Sequence, residues 1–276
     1  MPHAGRLAPR SSGEVPRLGY VDDMLVALSL ILGLAVASPE ATDGVRVATY
    51  NVWGLPWPLA PSRKARLRRL GRWAAQRDVD VVALQEVWGP SGRHVHEGLP
   101  EDFELTQPVA DGDSGLAVLS RHDVDPVGLR VFSARRGPDA LKRKGVWWVD
   151  VELTEERVVH LGVLHLQAGR GERRAEVRRA QLEDVLEVLP DGPVVLTGDF
   201  NLHEGAIDAG SHALLEEHGL TELVTKRPTS RYGRDRLDRF YVRGVDAIGL
   251  TVQRARVGDP SELSDHHPVL VDFVVD

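Results

Sequence analysis

An acid and an amide stand two residues apart in the run Val194-Val195-Leu196-Thr197-Gly198-Asp199-Phe200-Asn201. The three apolar residues at its head, two of them β-branched, read as a buried strand. Side chains alternate along an extended chain, so Asp199 and Asn201 are expected to point the same way. They would stand at the end of a core strand, where α/β proteins place ligands. Carboxylate and carboxamide oxygens suit a hard cation and an in-line water. The plain alternative is an Asp-Asn turn closing a strand.

Other strand-like runs deliver matching groups. Val45, Val47 and Thr49 alternate with Arg46, Ala48 and Tyr50 and lead to Asn51. The buried run 80–84 carries Glu86 at its tip, and a carboxylate there needs a partner, either a metal or an arginine. Over 158–166, Val159, Leu161 and Val163 share a face with His165, which reads as a core histidine or as a catalytic one. Asp238 lies near the start of a strand, and Asp265-His266 precedes the final strand over 269–274. Asp265 beside His266 suggests a carboxylate near a general base. Together, Asn51, Glu86, His165, Asp199, Asn201, Asp238, Asp265 and His266 make four acids, two amides and two histidines. This set lacks the histidine-rich pattern of a zinc hydrolase and suits Mg²⁺-assisted attack of water on a phosphodiester, with Mn²⁺ as a substitute.

These groups must be carried by a framework of strands and helices. Short strands are expected over 114–120, over 146–153 with Trp147, Val149, Val151 and Leu153 on one face, and near 250–252. Helices are expected over 172–189, with Leu182, Val185, Leu186 and Leu189 on one face, and over 212–218, stopped by Gly219. Ser62 is expected to cap a helix carrying Leu67, Leu70 and Ala74. Its other faces hold Arg63, Lys64, Arg66, Arg68, Arg69 and Arg72, read either as a solvated face or as a surface for anionic lipid or polyanion. The stretch 137–145, with two glycines and a proline, reads as a charged loop facing solvent.

The totals narrow the classes. At 276 residues the chain holds one large domain or two small ones, and its net charge of −7 argues against gripping nucleic acid as its main task. With no cysteine, thiolate metal sites, disulfides and cysteine nucleophiles are excluded. Residues 1–42 read as a disordered leader, with a 14-residue apolar run over 24–37. That run is short for a membrane span, which takes about 20 residues. Ala35-Val36-Ala37 gives it a cleavage-like end, pointing to a secreted or periplasmic protein. Asp22-Asp23 before it is atypical, which keeps a buried helix, a start at Met24 and a cytoplasmic location open.

Seven motifs carry a resemblance. They are TYNVWGLP at 49–56, LQEVW at 84–88, SGLAVLSRH at 114–122, LHLQAG at 164–169, TGDFN at 197–201, RLDRFYV at 236–242 and SDHHPV at 264–269. Their order resembles that of the endonuclease/exonuclease/phosphatase superfamily, which implies a four-layer α-β-β-α sandwich over residues 43–276. Within it the chain looks most like the neutral and bacterial sphingomyelinases, because NVWGLP, the arginine-rich helix, LHLQAG and the GPDALKRKG loop are similar to that branch. The resemblance implies Glu86 as the principal Mg²⁺ ligand with Asn51 beside it. It implies His266 as general base, oriented by an acid. His165 and Asn201 would hold phosphoryl oxygens, Asp199 would orient water or the metal's shell, and Asp238 a histidine. Asp139 and Lys144 match a paired loop of that branch and would be part of the active site. The substrate would be a phospholipid met by a monomer at a peripheral membrane contact, with nucleic acid less favoured. A nuclease or an inositol-phosphate phosphatase on the same fold are the rival enzymes, and a binding module without chemistry is the non-enzyme alternative. The segment 218–236 is short and leaves no room for the exposed hydrophobic hairpin of some secreted sphingomyelinases.

Overall fold

The computed structural model describes residues 44–109, 113–154 and 156–275. The leader and the export-like segment over 24–37 lie outside the described residues. From there the chain runs β1 (Gly44–Asn51), α1 (Arg63–Leu67), α2 (Leu70–Ala75), β2 (Val81–Gln85), α3 (Ser91–His96), β3 (Glu104–Thr106), β4 (Ala117–Ser120) and β5 (Val124–Val131). It continues through β6 (Gly145–Thr154), β7 (Arg157–His165), α4 (Glu172–Leu186), β8 (Val194–Asp199), α5 (Ala209–Glu217), β9 (Thr221–Glu222), β10 (Asp238–Arg243), β11 (Leu250–Val257) and β12 (Val269–Val275). Two six-stranded mixed sheets result, one ordered β11-β12-β1-β2-β4-β3 and the other β5-β6-β7-β8-β10-β9.

Alternation along the strands sorts the chain into layers. Val45 and Val47 of β1, Val81 and Ala83 of β2, Val149 and Val151 of β6, Leu161 and Val163 of β7 and Phe240 of β10 fill the space between the sheets. The intervening residues point outward. Ala48, Tyr50, Val82 and Leu84 pack under Leu67, Leu70 and Trp73 of the first two helices. Val146, Leu164, Val194 and Leu196 pack under Leu182 and Val185 of α4. The four-layer sandwich follows, because each sheet is apolar on both faces and must be covered on both.

Three local expectations are corrected. The helix after Ser62 is two short helices, because the Arg69 N–H bonds the Arg66 carbonyl three residues back and tightens the turn. Ser62 gives no capping bond and sits at a φ of +51°. The Arg66 guanidinium fixes the helix entry instead, by donating to the Pro61 carbonyl at 2.9 Å. Arg66 is therefore buried rather than part of a solvated face, and it also donates to the carbonyls of Val52, Trp53 and Leu263. The strand near 250–252 extends to Val257, paired along β12.

Candidate active site

The strand register assembles the site. His165 pairs with Asp199 between β7 and β8, and Asp238 pairs with Asp199 between β8 and β10. Three ionisable side chains thus lie side by side at one level on three neighbouring strands. Each continues the face that fills the inter-sheet core, so the three cap that layer at one end. Asn51 arrives at the same end from the other sheet, in step with Val45 and Val47. Gly198 lets β7 and β8 approach here. It adopts a φ of +145°, and a Cβ on it would run into the Leu164 carbonyl oxygen.

The polar contacts close around Asp199, which is buried. The Asn51 Nδ2 donates to Asp199 Oδ2 at 3.0 Å and to Glu86 Oε1 at 3.3 Å, while its Oδ1 accepts the Trp53 N–H at 3.0 Å. His165 Nε2 lies 3.4 Å and His266 Nε2 3.9 Å from Asp199 Oδ2. Asp199 Oδ1 accepts the Asn201 N–H at 3.1 Å. The strand ends at Asp199, and Asn201 turns into the left-handed region at a φ of +50°, so the two residues are joined by a turn rather than by strand alternation. Asn201 Nδ2 donates to the Leu166 carbonyl at 3.3 Å.

His266 comes from the segment before β12. Its Nδ1 bonds Asp238 Oδ2 at 2.8 Å, which leaves Nε2 facing the cluster. Asp238 is set in turn by Thr229, whose Oγ1 accepts the N–H groups of Leu237 and Asp238 at 2.9 and 3.0 Å. The Ser264 hydroxyl donates to the Asn51 carbonyl at 2.6 Å and accepts the His266 N–H at 3.1 Å, tying the histidine loop to β1. Asp265 keeps its carboxylate near Ser264 at 3.3 Å, and its backbone carbonyl accepts the Arg231 N–H.

These contacts set the electrostatics. Burial lifts the Asp199 carboxyl to about 7, against the opposing charge of His266. Burial opposes a charge on His266, but Asp238, Asp199 and Asp265 together raise its pKa to about 10. Burial, with Lys144 and Lys142 nearby, holds His165 well below its ordinary value, so it is neutral. Burial raises Asp265, and the Glu86 charge adds to that rise against His266.

A crowd of carboxylates at one strand end invites a cation. Glu86 follows β2 at a φ of +62°, and a Cβ on Gly54 would run into its carbonyl oxygen. The Glu86 Oε2 and Asp238 Oδ1 atoms are buried without a hydrogen-bond partner. Asp199, Asp238 and His266 each offer a donor atom within 4.8 Å of one another. Unsatisfied buried carboxylate oxygens cost energy unless a cation or donor meets them, so this donor set fits a hard divalent ion.

Much of the 137–145 stretch faces solvent, as its composition implies, but Lys144 is turned inward and Asp139 is half-buried. Residues Gly137–Leu141 form a 3₁₀ turn that brings Asp139 to Lys144, whose side chain is 3% exposed. Lys144 Nζ donates to Asp139 Oδ2 and to the Leu166 carbonyl, both at 2.8 Å. Asp139 Oδ2 also accepts the Ala168 N–H at 2.8 Å and Gln167 Nε2 at 3.2 Å. The Leu166 carbonyl thus joins Lys144 to Asn201. Burial lowers the Lys144 pKa despite Asp139, Asp199 and Glu86. Burial works to raise Asp139, but the Lys144 ammonium outweighs it and holds the carboxyl below its usual range. A carboxylate with a depressed folded pKa stabilises the fold above its unfolded value of about 3.9 and loses that contribution as pH falls through the folded one. Asp139→Asn is therefore expected to flatten the acid limb of melting temperature against pH below the ordinary carboxylate value of about 3.9. Parallel limbs in variant and wild type would show that the pair does not carry this titration.

Sequence reasoning missed two supporting groups. Arg178 of α4 makes a fully buried bidentate ion pair with Asp208 at 2.9 Å and donates to the Gln167 and Gly169 carbonyls. Its place on the apolar stripe with Ala175, Leu182 and Val185 was the signal that could have found it. His203 Nδ1 bonds Asp235 at 2.9 Å, and its N–H bonds Asp208. No local pattern marks that contact.

Known proteins resemble this chain in sequence and in fold. The chain is 26% identical over 200 residues to sphingomyelin phosphodiesterase 2 of Homo sapiens, covering 66% of this chain and 46% of that protein. It is 26% identical over 202 residues to sphingomyelinase C of Bacillus cereus, covering 62% and 60%. The chain thus spans about half the length of the human relative. A Staphylococcus aureus beta toxin mutant with bound magnesium ions superposes with a TM-score of 0.66 at 15% identity, over 84% of this chain and 99% of that one, which is a likeness of fold. The family model described as Endonuclease/Exonuclease/phosphatase family matches residues 48–266, from β1 through His266, and the chain belongs to that family.

Proposed function

We propose that the protein is a divalent-metal-dependent phosphodiesterase that cleaves a phospholipid head group in the manner of a phospholipase C, with sphingomyelin as the first substrate to test and Mg²⁺ (or Mn²⁺) as the metal. The observation that carries the reading is the Asp238–His266 pair facing Asp199, with Glu86 Oε2 unpartnered beside it. Likeness to the two sphingomyelinases and the buried Asp139–Lys144 pair support the lipid substrate over nucleic acid.

Glu86 and Asn51 would hold the ion, which supplies charge neutralisation at the phosphoryl group and the leaving alkoxide. Its charge would also offset the carboxylate field that raises His266. Asp238 fixes the His266 tautomer, so Nε2 takes the proton from the attacking water. Asp199 orients that water between the two histidines. Neutral His165 and the remaining Asn201 N–H offer donors to phosphoryl oxygens as charge builds. Lys144, fixed by Asp139 and the Leu166 carbonyl, adds positive charge to the same end of the sandwich. Asp265 stands beside the His266 backbone and tunes its charge.

The test is hydrolysis of sphingomyelin vesicles by the full chain, with Mg²⁺ and with chelator, beside phosphatidylcholine vesicles and supercoiled plasmid. Mg²⁺-dependent release of phosphocholine with intact plasmid is expected. Nicked plasmid with untouched lipid would overturn the substrate while leaving a metal phosphodiesterase.

A further inference from the structure

We infer that the protein has a second anion site, away from the carboxylate cluster, which takes a phosphate-bearing group in a groove between α2 and the segment before His266. The groove has a volume of about 400 Å³ and is lined by Arg69, Arg72, Trp73, Gln76 and Arg77 on one side and by residues 260–263 on the other. Three guanidinium groups therefore converge on one concavity in a chain whose net charge is −7.

Those arginines are poorly neutralised. Among the described residues, only Glu262 faces them as a carboxylate in the groove, at 3.9 Å from Arg69, and both side chains are largely exposed. Arg72 and Arg77 make no ion pair with any described carboxylate. Arg77 instead lies over the Trp73 ring, 5.4 Å from its centroid. Several other arginines are matched, Arg68 with Glu97, Arg121 with Asp102 and Arg46 with Asp272. Trp73 lies beside them. It is 5% exposed, it lines the groove, and its indole N–H is buried with no acceptor. A buried donor without an acceptor is uncommon in a folded protein.

The ligand chemistry follows from these donors. Guanidinium forks match the paired oxygens of a phosphate in a way that a point charge does not. Gln76 adds a neutral amide suited to the substituent on that phosphate. A phosphomonoester dianion satisfies several arginines at once, and the groove's volume accepts a small group attached to it. The groove also adjoins the catalytic end. Tyr50, whose hydroxyl bonds Ser261, packs against Trp73 with the rings tilted by 45° and directly precedes Asn51, while Leu263 directly precedes Ser264.

Calorimetric titration of the full chain with inorganic phosphate, in chelator, tests the site without any turnover readout. Wild type is expected to bind, R69A/R72A to bind at least about tenfold more weakly, and H266A to bind as wild type does. E262Q is expected to bind about twofold to threefold more tightly, a gain that misfolding cannot mimic. Equal affinity in wild type and R69A/R72A, loss of binding in H266A, or no binding by wild type would overturn the site. Sedimentation with phosphatidylcholine vesicles, with and without phosphatidate, separates the sources. Retention on phosphatidate that R69A/R72A abolishes assigns a lipid head group, and phosphate binding without retention assigns a soluble phosphomonoester. Because none of these readings needs hydrolysis, failure here is distinct from failure of the phosphodiesterase reading.

Discussion

His266→Ala is expected to lower turnover on the vesicle substrate by about 10²–10⁴-fold while the protein remains folded. The imidazole is the one group whose Nδ1 is locked by a carboxylate and whose Nε2 is turned toward Asp199. Alanine removes the proton acceptor at Nε2 and leaves Asp238 without its histidine partner. The fold should survive because His266 lies on the segment between β11 and β12, outside the three apolar layers. Glu86→Ala is expected to lose activity on the same scale for a different reason, since it removes a cation ligand rather than a base. Raising Mg²⁺ separates the two, with partial recovery expected for Glu86→Ala and none for His266→Ala. Wild-type rate in either variant, with far-UV circular dichroism unchanged, would show that the residue carries no chemistry.

The second large effect is on stability. Arg178→Met is expected to destabilise the protein by about 3–5 kcal/mol, because it strands the Asp208 carboxylate in the interior. Both side chains of the pair are fully buried, and Asp208 also holds the His203 N–H. For a domain of this size such a loss lowers the melting temperature by about 6–20 °C. Activity should fall as well, because Arg178 pins the Gln167 and Gly169 carbonyls beside the loop that holds Asp139. Combining Arg178→Met with Asp208→Leu is expected to recover part of the loss, since two apolar groups leave no unpaired charge. A double variant less stable than Arg178→Met would mean that the surrounding loops, rather than the lone carboxylate, carry the cost.

The central strands were legible from two patterns. β1 and β7 alternate and β8 opens on an unbroken apolar run, and each ends in a polar residue, which was enough to gather Asn51, His165 and Asp199. Asp238 and His266 were legible as residue types, but their 2.8 Å contact was not, since it joins the first residue of β10 to the segment before β12. The edge strand β5 escaped notice. It is mostly exposed, contains Pro126 and Gly128, and breaks register between them, so Val124 and Leu129, which pack against the core, do not fall on one period-2 face. Arg66 and Arg178 were misread or missed because a buried arginine looks like a surface one until its distant carbonyl and carboxylate partners are in place. The Asp139–Lys144 loop shows the reverse case. Composition pointed to solvent and the family resemblance to the site, and the structure shows an exposed loop whose Asp139–Lys144 pair is turned inward.

The position of β1 has a consequence for synthesis on the ribosome. This strand lies inside its sheet, flanked by β2 on one side and by β12 on the other, with Gly44 opposite Val274. Its second partner is therefore translated only after about 200 further residues, since Gly44 pairs with Val274. At about 5–20 residues per second, β1 waits on the order of ten seconds or more with one edge unpaired. An exposed strand edge is a template for the wrong neighbour. Nascent chains of this protein should therefore stay dependent on chaperones until β12 clears the exit tunnel, and truncation before residue 269 should give aggregation rather than a smaller folded domain.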